Sequence, residues 1–103
     1  MLYGDERYIK EFAEAAVISF SEFKTNYSKY LALRNEEAFR KAGHKIKPVA
    51  QMLGLNEIIV EYEYAKTLLW EEKDDSDIRI SITKMDKICS TVLNELENLS
   101  DDK

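Results

Sequence analysis

The chain has 103 residues, 45% hydrophobic and 34% charged, with a net charge of −5. That is enough for a single domain (1–103) with a real core, and it argues against disorder. No apolar run approaches the roughly 20 residues that span a membrane, and the acidic balance argues against a general nucleic-acid binder.

One proline and three glycines leave few helix breakers. Periodicity predicts four helices, over about 5–33, 35–54, 56–73 and 76–100. Asp5 is placed to cap the first, whose apolar stripe is Ile9, Phe12, Ala16, Phe20, Phe23, Tyr27, Tyr30 and Leu31. A break in this long helix is expected near Ser19–Ser21. Asn35 caps the second helix, with Glu36 and Glu37 in its first turn, where negative charge is favoured.

The second helix has the clearest pattern. Ala42, Ile46, Val49 and Leu53, with Phe39 beside them, form a narrow stripe, so Arg40, His44, Lys47 and Gln51 fall on the opposite, solvent face. Pro48 lies inside this helix. Its ring conflicts with the carbonyl of His44, four residues earlier, so one continuous helix kinked or loosened at His44 is expected. Gly54 either closes the helix or allows close packing. Asn56 is placed to cap the third, which carries Ile58, Tyr62, Ala65 and Leu69 inward.

Residues Lys73 to Asp77 make a polar turn. The last helix has a seam of Ile78, Ile82, Met85, Cys89, Val92, Leu96 and Leu99. Ile58–Tyr64 and Ile78–Ile82 also alternate like strands, but the longer helical spacing prevails. Short connections imply an all-α, up-down antiparallel four-helix bundle. Residues 100–103 read as a frayed tail.

Candidate chemistry is sparse. One histidine and one cysteine cannot make a zinc site of the usual ligand types, so no metal is expected. There is no glycine-rich phosphate loop and no nucleophile elbow. Cys89 lies on the apolar seam and reads as a small buried thiol. Unable to form an internal disulfide, and in a chain without an apolar secretory segment, it points to a reduced, cytoplasmic setting. Trp70 and the tyrosines read as core or interface residues. Val49–Glu57 superficially resembles a helix-turn-helix, but its reading helix would turn Glu57, Glu61 and Glu63 toward phosphates, the wrong sign. Arg40, Lys41, Lys45 and Lys47 cluster around His44, and no acid occurs between Glu37 and Glu57. This basic stretch suits a small anion or a partner's acidic pocket. Alternatively it is simply a solvated helix face.

At His44 the pattern becomes specific. His44, Ile46, Lys47, Ala50, Gly54 and Ile58, preceded by the run Asn35 to Ala42, resemble the histidine-containing phosphotransfer (HPt) domain. The order and length of the helices extend the resemblance over nearly the whole chain. It implies that His44 accepts a phosphoryl group from a receiver-domain aspartate and passes it to another receiver. No ATP-dependent kinase activity of its own is expected.

Lys47, one turn beyond His44, is placed to meet the phosphoryl oxygens, with Gln51, Lys66 and Gly54 in support. Arg40, Lys41, Lys45 and Pro48 would face the partner. The partners implied are response-regulator receiver domains and a hybrid sensor histidine kinase. No cofactor is expected, the magnesium coming with the receiver. Two departures stand out. Pro48 occupies a position where the family has Gly or Ser, and Lys66 stands where a Gln or Glu orients the imidazole, leaving Glu63 as a substitute. The competing expectation is a helical adaptor that binds receivers without relaying phosphate. A start at Met1 and a polar end favour a free-standing protein over an excised domain.

Overall fold

The computed structural model describes residues 6–100 and contains four helices in that span: α1 (Glu6–Ala32), α2 (Glu36–Met52), α3 (Asn56–Trp70) and α4 (Asp75–Ser100). Each packs on its neighbour in sequence, and α1 closes the ring against α4, which makes an up-down bundle. Among the described residues there is no strand, so the alternating stretches Ile58–Tyr64 and Ile78–Ile82 are helical.

Three turns connect the helices, and all three are built the same way. The N–H of Asn35 bonds the Tyr30 carbonyl (2.9 Å), that of Leu55 the Ala50 carbonyl (2.8 Å) and that of Lys73 the Leu68 carbonyl (2.9 Å). In each case the preceding residue also bonds back to the helix and takes positive φ: Arg34 at 55°, Gly54 at 71° and Glu72 at 53°. This is the Schellman end, which satisfies the last carbonyls of a helix.

Only Gly54 adopts this geometry without strain. A methyl group on it would meet nothing, so it is a turn residue and not a packing one. Arg34 is held there by donating to the Lys73 carbonyl (2.7 Å) and to Asp75 (2.9 Å), which ties the α1–α2 turn to the α3–α4 turn at one end of the bundle. Glu72 ends α3 three residues before the expected boundary. No Gly or Pro marks that end, so nothing local announced it. Asn56 is not a cap but the first residue of α3; Leu55 precedes it without a side-chain bond. Asn35 does cap α2, accepting from the Ala38 N–H at 3.2 Å. Asp5 and residues 101–103 lie outside the described span.

No break occurs at Ser19–Ser21: α1 runs unbroken for 27 residues. Phe20, between the two serines, and Phe23, just beyond them, are both buried and anchor the helix there. At about 1.5 Å per residue α1 and α4 are near 40 Å long, against about 25 Å for α2, and the molecule is accordingly elongated, 49 × 22 × 18 Å. The far halves of α1 and α4 run past the α2–α3 turn as a pair, burying Ala13 and Ala16 on one and Val92 and Leu96 on the other.

The aromatic centre lies between α1, α2 and α3, where Phe23, Tyr27, Phe39 and Tyr62 follow one another with ring centroids 5.0–5.5 Å apart. Some expected core positions differ. Ile9 and Leu99 are exposed in part and Trp70 is 80% exposed, so the tryptophan is no core residue. Glu61 and Ser81 are buried instead.

Candidate functional site

His44 sits at the middle of α2, exposed, on the face opposite Phe39, Ala42, Ile46 and Ala50, which are buried. Its side chain makes no hydrogen bond to any described residue. It lines a shallow groove with Glu36, Glu37, Arg40 and Lys41. α2 continues through Pro48 to Met52, and the proline ring is exposed. Proline has no N–H, so the carbonyl of His44 lacks the helical donor that would otherwise come from position 48.

Behind His44 the backbone is pressed against α3. Gly43 is buried, and a methyl group on it would overlap the Tyr62 ring. The Tyr62 hydroxyl donates to the Arg40 carbonyl at 3.2 Å. Tyr62 thus locks α3 to α2 one turn before the histidine. Burial, followed by the nearby Glu63 charge, raises the phenol's pKa, which keeps it a donor. Gly43 went unassigned in the sequence. Its signal was present, a glycine within a helix beside the buried stripe, but that pattern does not name the ring it accommodates.

The basic stretch looks different once folded. Lys45 turns to α1 and pairs with Glu22 (3.0 Å), and Lys41 pairs with Glu37 at 3.8 Å. Lys47 reaches Glu63 on α3 at 2.8 Å, and the same carboxylate takes Lys66 at 3.0 Å through its other oxygen. Lys66 also lies over the Tyr62 ring, 5.2 Å from its centroid. Two hydrogen bonds from lysines, that of Lys47 first, hold the Glu63 pKa below its ordinary value. The gap in acids between Glu37 and Glu57 is therefore closed by α1 and α3, and Glu63 is turned to the lysines, with no bond to His44. Arg40 alone of the four cations has no ion pair to a described residue.

The supporting residues separate. Lys66 joins the Lys47–Glu63 pair. Gln51, two turns beyond His44, is exposed with no side-chain bond to a described residue, and Gly54 serves the turn. Cys89 is buried, and that burial pushes its thiol pKa up to about 12, so it is no nucleophile at neutral pH. Among the described residues no group of three or more His, Cys, Asp or Glu side chains is arranged to hold a metal, and no helix is long and apolar enough to cross a membrane.

A second polar cluster, unanticipated, lies inside the bundle. The Ser81 hydroxyl donates to Glu61 Oε2 at 2.7 Å and is 2.7 Å from the Tyr27 hydroxyl. Lys84 approaches the other Glu61 oxygen at 3.4 Å. Ser81 has one proton and gives it to the carboxylate, so Tyr27 is the donor to Ser81, and desolvation, which raises the Tyr27 pKa, keeps that phenol protonated.

Chemically, the outer face offers an accessible imidazole nitrogen beside cations that can compensate an incoming anion. Compared with known proteins, the chain matches no family model, and no curated protein or solved structure is significantly similar to it.

Proposed function

We propose that this protein is a phosphorelay intermediate of two-component signalling, an HPt-type module carrying a phosphoryl group on His44 between receiver domains. The observation that carries the reading is the placement of His44: the chain's only histidine, exposed at mid-helix on a four-helix bundle, with Lys47 one turn beyond it. An imidazole nitrogen is a competent nucleophile near neutral pH. Phosphoryl transfer demands mainly positioning and charge compensation.

In the proposed step the lone pair of one imidazole nitrogen attacks the phosphorus of a receiver's aspartyl phosphate. The P–O bond breaks, the aspartate leaves as carboxylate, and the proton on the other ring nitrogen passes to solvent. Onward transfer reverses these changes on a second receiver. Magnesium belongs to the receiver's acidic pocket. Arg40, exposed one turn before His44, is the cation best placed to meet that pocket. The upstream donor would be a hybrid sensor kinase in the cytoplasm, and the module needs no nucleotide of its own.

The test is incubation with phosphorylated receiver domains. Acid-labile label should appear on the wild type and be absent from His44→Gln. A wild-type protein that binds receivers tightly and never acquires label would instead establish the receiver-binding adaptor.

A further inference from the structure

Glu63 reaches from α3 to the lysine that stands next to His44. One carboxylate serves two ammonium groups, Lys47 at 2.8 Å and Lys66 at 3.0 Å. The two lysines are held differently. Lys66 is on the same helix as Glu63, three residues on, and rests over the Tyr62 ring. Lys47 is on α2 with the histidine, and its one ion pair to a described residue is the inter-helix bond to Glu63. At spacing i, i+3 its flexible stem neighbours the imidazole. All three groups are partly open to water, and pairs so exposed are weak and exchange readily.

Resting on the phosphorelay reading of His44, we infer that Glu63 is the resident counter-anion of Lys47, and that Lys47 exchanges Glu63 for phosphoryl oxygens when His44 is phosphorylated. Lys66 keeps Glu63 in place during the exchange. Two lysines and one glutamate leave a single positive charge, to which phosphorylation adds a group of charge close to −2. Competition between carboxylate and phosphoryl for Lys47 then sets how long phosphohistidine survives and how readily it is passed on. Glu63 is thus a positioning residue, acting through Lys47. It also explains the lysine at position 66, which anchors the competing carboxylate.

The test loads His44 with phosphoramidate, a small donor that requires no receiver. Its P–N bond breaks, ammonia leaves, and phosphorus bonds to the imidazole nitrogen. Decay of the phosphoprotein is followed by phosphorus NMR. Glu63→Gln should lengthen the phosphohistidine lifetime at least threefold, and Lys47→Ala should shorten it at least threefold. Adding Glu63→Gln to Lys47→Ala should change little, because the competition has lost its object. In the wild type the Lys47 ammonium resonance should move on phosphorylation while that of Lys66 stays. Equal lifetimes for folded wild type and Glu63→Gln would overturn the exchange, and so would a Glu63→Gln effect that persists undiminished without Lys47. Failure of phosphoramidate to load His44 would overturn it as well. If loading and lifetimes behave as expected but no receiver takes the phosphoryl group, the relay reading falls and the lysine exchange stands.

Discussion

Glu61 and Glu63 are two residues apart on α3 and do opposite kinds of work. At about 100° per residue their side chains point about 160° apart. Glu61 faces the interior, is 5% exposed, and accepts from Ser81 in a chain that begins at Tyr27. Glu63 faces α2 at the surface and accepts from two lysines. Tyr62 lies between them and packs on Gly43. The buried carboxylate accepts from a buried hydroxyl that cannot leave without unfolding the bundle, and only its other oxygen meets an exposed cation, Lys84. The outer one is surrounded by flexible cations that can leave. An inward acid fixes which helices meet, whereas an outward acid can be displaced by another anion.

Three variants probe this contrast. The largest effect is expected at the inner carboxylate. Glu61→Ala removes the charged acceptor of a buried hydroxyl and should cost about 2–3 kcal/mol in urea unfolding, with chemical loading of His44 retained in the folded fraction. A loss below about 1 kcal/mol would mean that Ser81 and Tyr27 satisfy each other, and the inner acid would lose its structural role. Next comes Gly43→Ala, where the new methyl group must displace Tyr62. A cost of about 1–3 kcal/mol is expected, together with loss of the Tyr62–Arg40 bond, visible as a change in tyrosine ultraviolet absorbance.

The smallest effect belongs to the outer acid. Glu63→Gln should cost under about 1 kcal/mol at neutral pH. The Glu63 pKa is lowered in the folded state, so its contribution is complete above the unfolded value, roughly 4.3, and disappears as pH falls through the lower folded value. Wild type and Glu63→Gln should therefore converge in stability on acidification. A gap that widened toward low pH would contradict the lysine pairing.

Legibility in the sequence follows the same division. The α2 stripe, the Asn35 cap and the exposure of His44 were readable, and Gly54 was narrowed to a stop or a packing position, because each depends on residues within one or two turns of the same helix. The helix ends at Arg34 and Glu72 were less so, since non-glycine residues there take positive φ inside the turn and Arg34 is braced by bonds to Lys73 and Asp75. The burial of Glu61 was not legible, because a carboxylate reads as a surface residue until a serine on another helix is opposite it. The unbroken basic stretch was also misleading. Its counter-charges, Glu22 and Glu63, come from α1 and α3.

The sequence by itself determined four amphipathic helices, a bundle, and a solitary outward histidine with a lysine one turn away. These follow from spacing along single helices, where 3.6 residues per turn decides which side chains are neighbours. Only the tertiary structure decided that Lys47 is already held by Glu63, that Tyr62 fills the space left by Gly43, and that Ser81 meets Glu61. Those partners lie on different helices, and their meeting depends on how each helix is rotated and slid against the next. Packing of the whole core sets that rotation and register, and no local pattern encodes them.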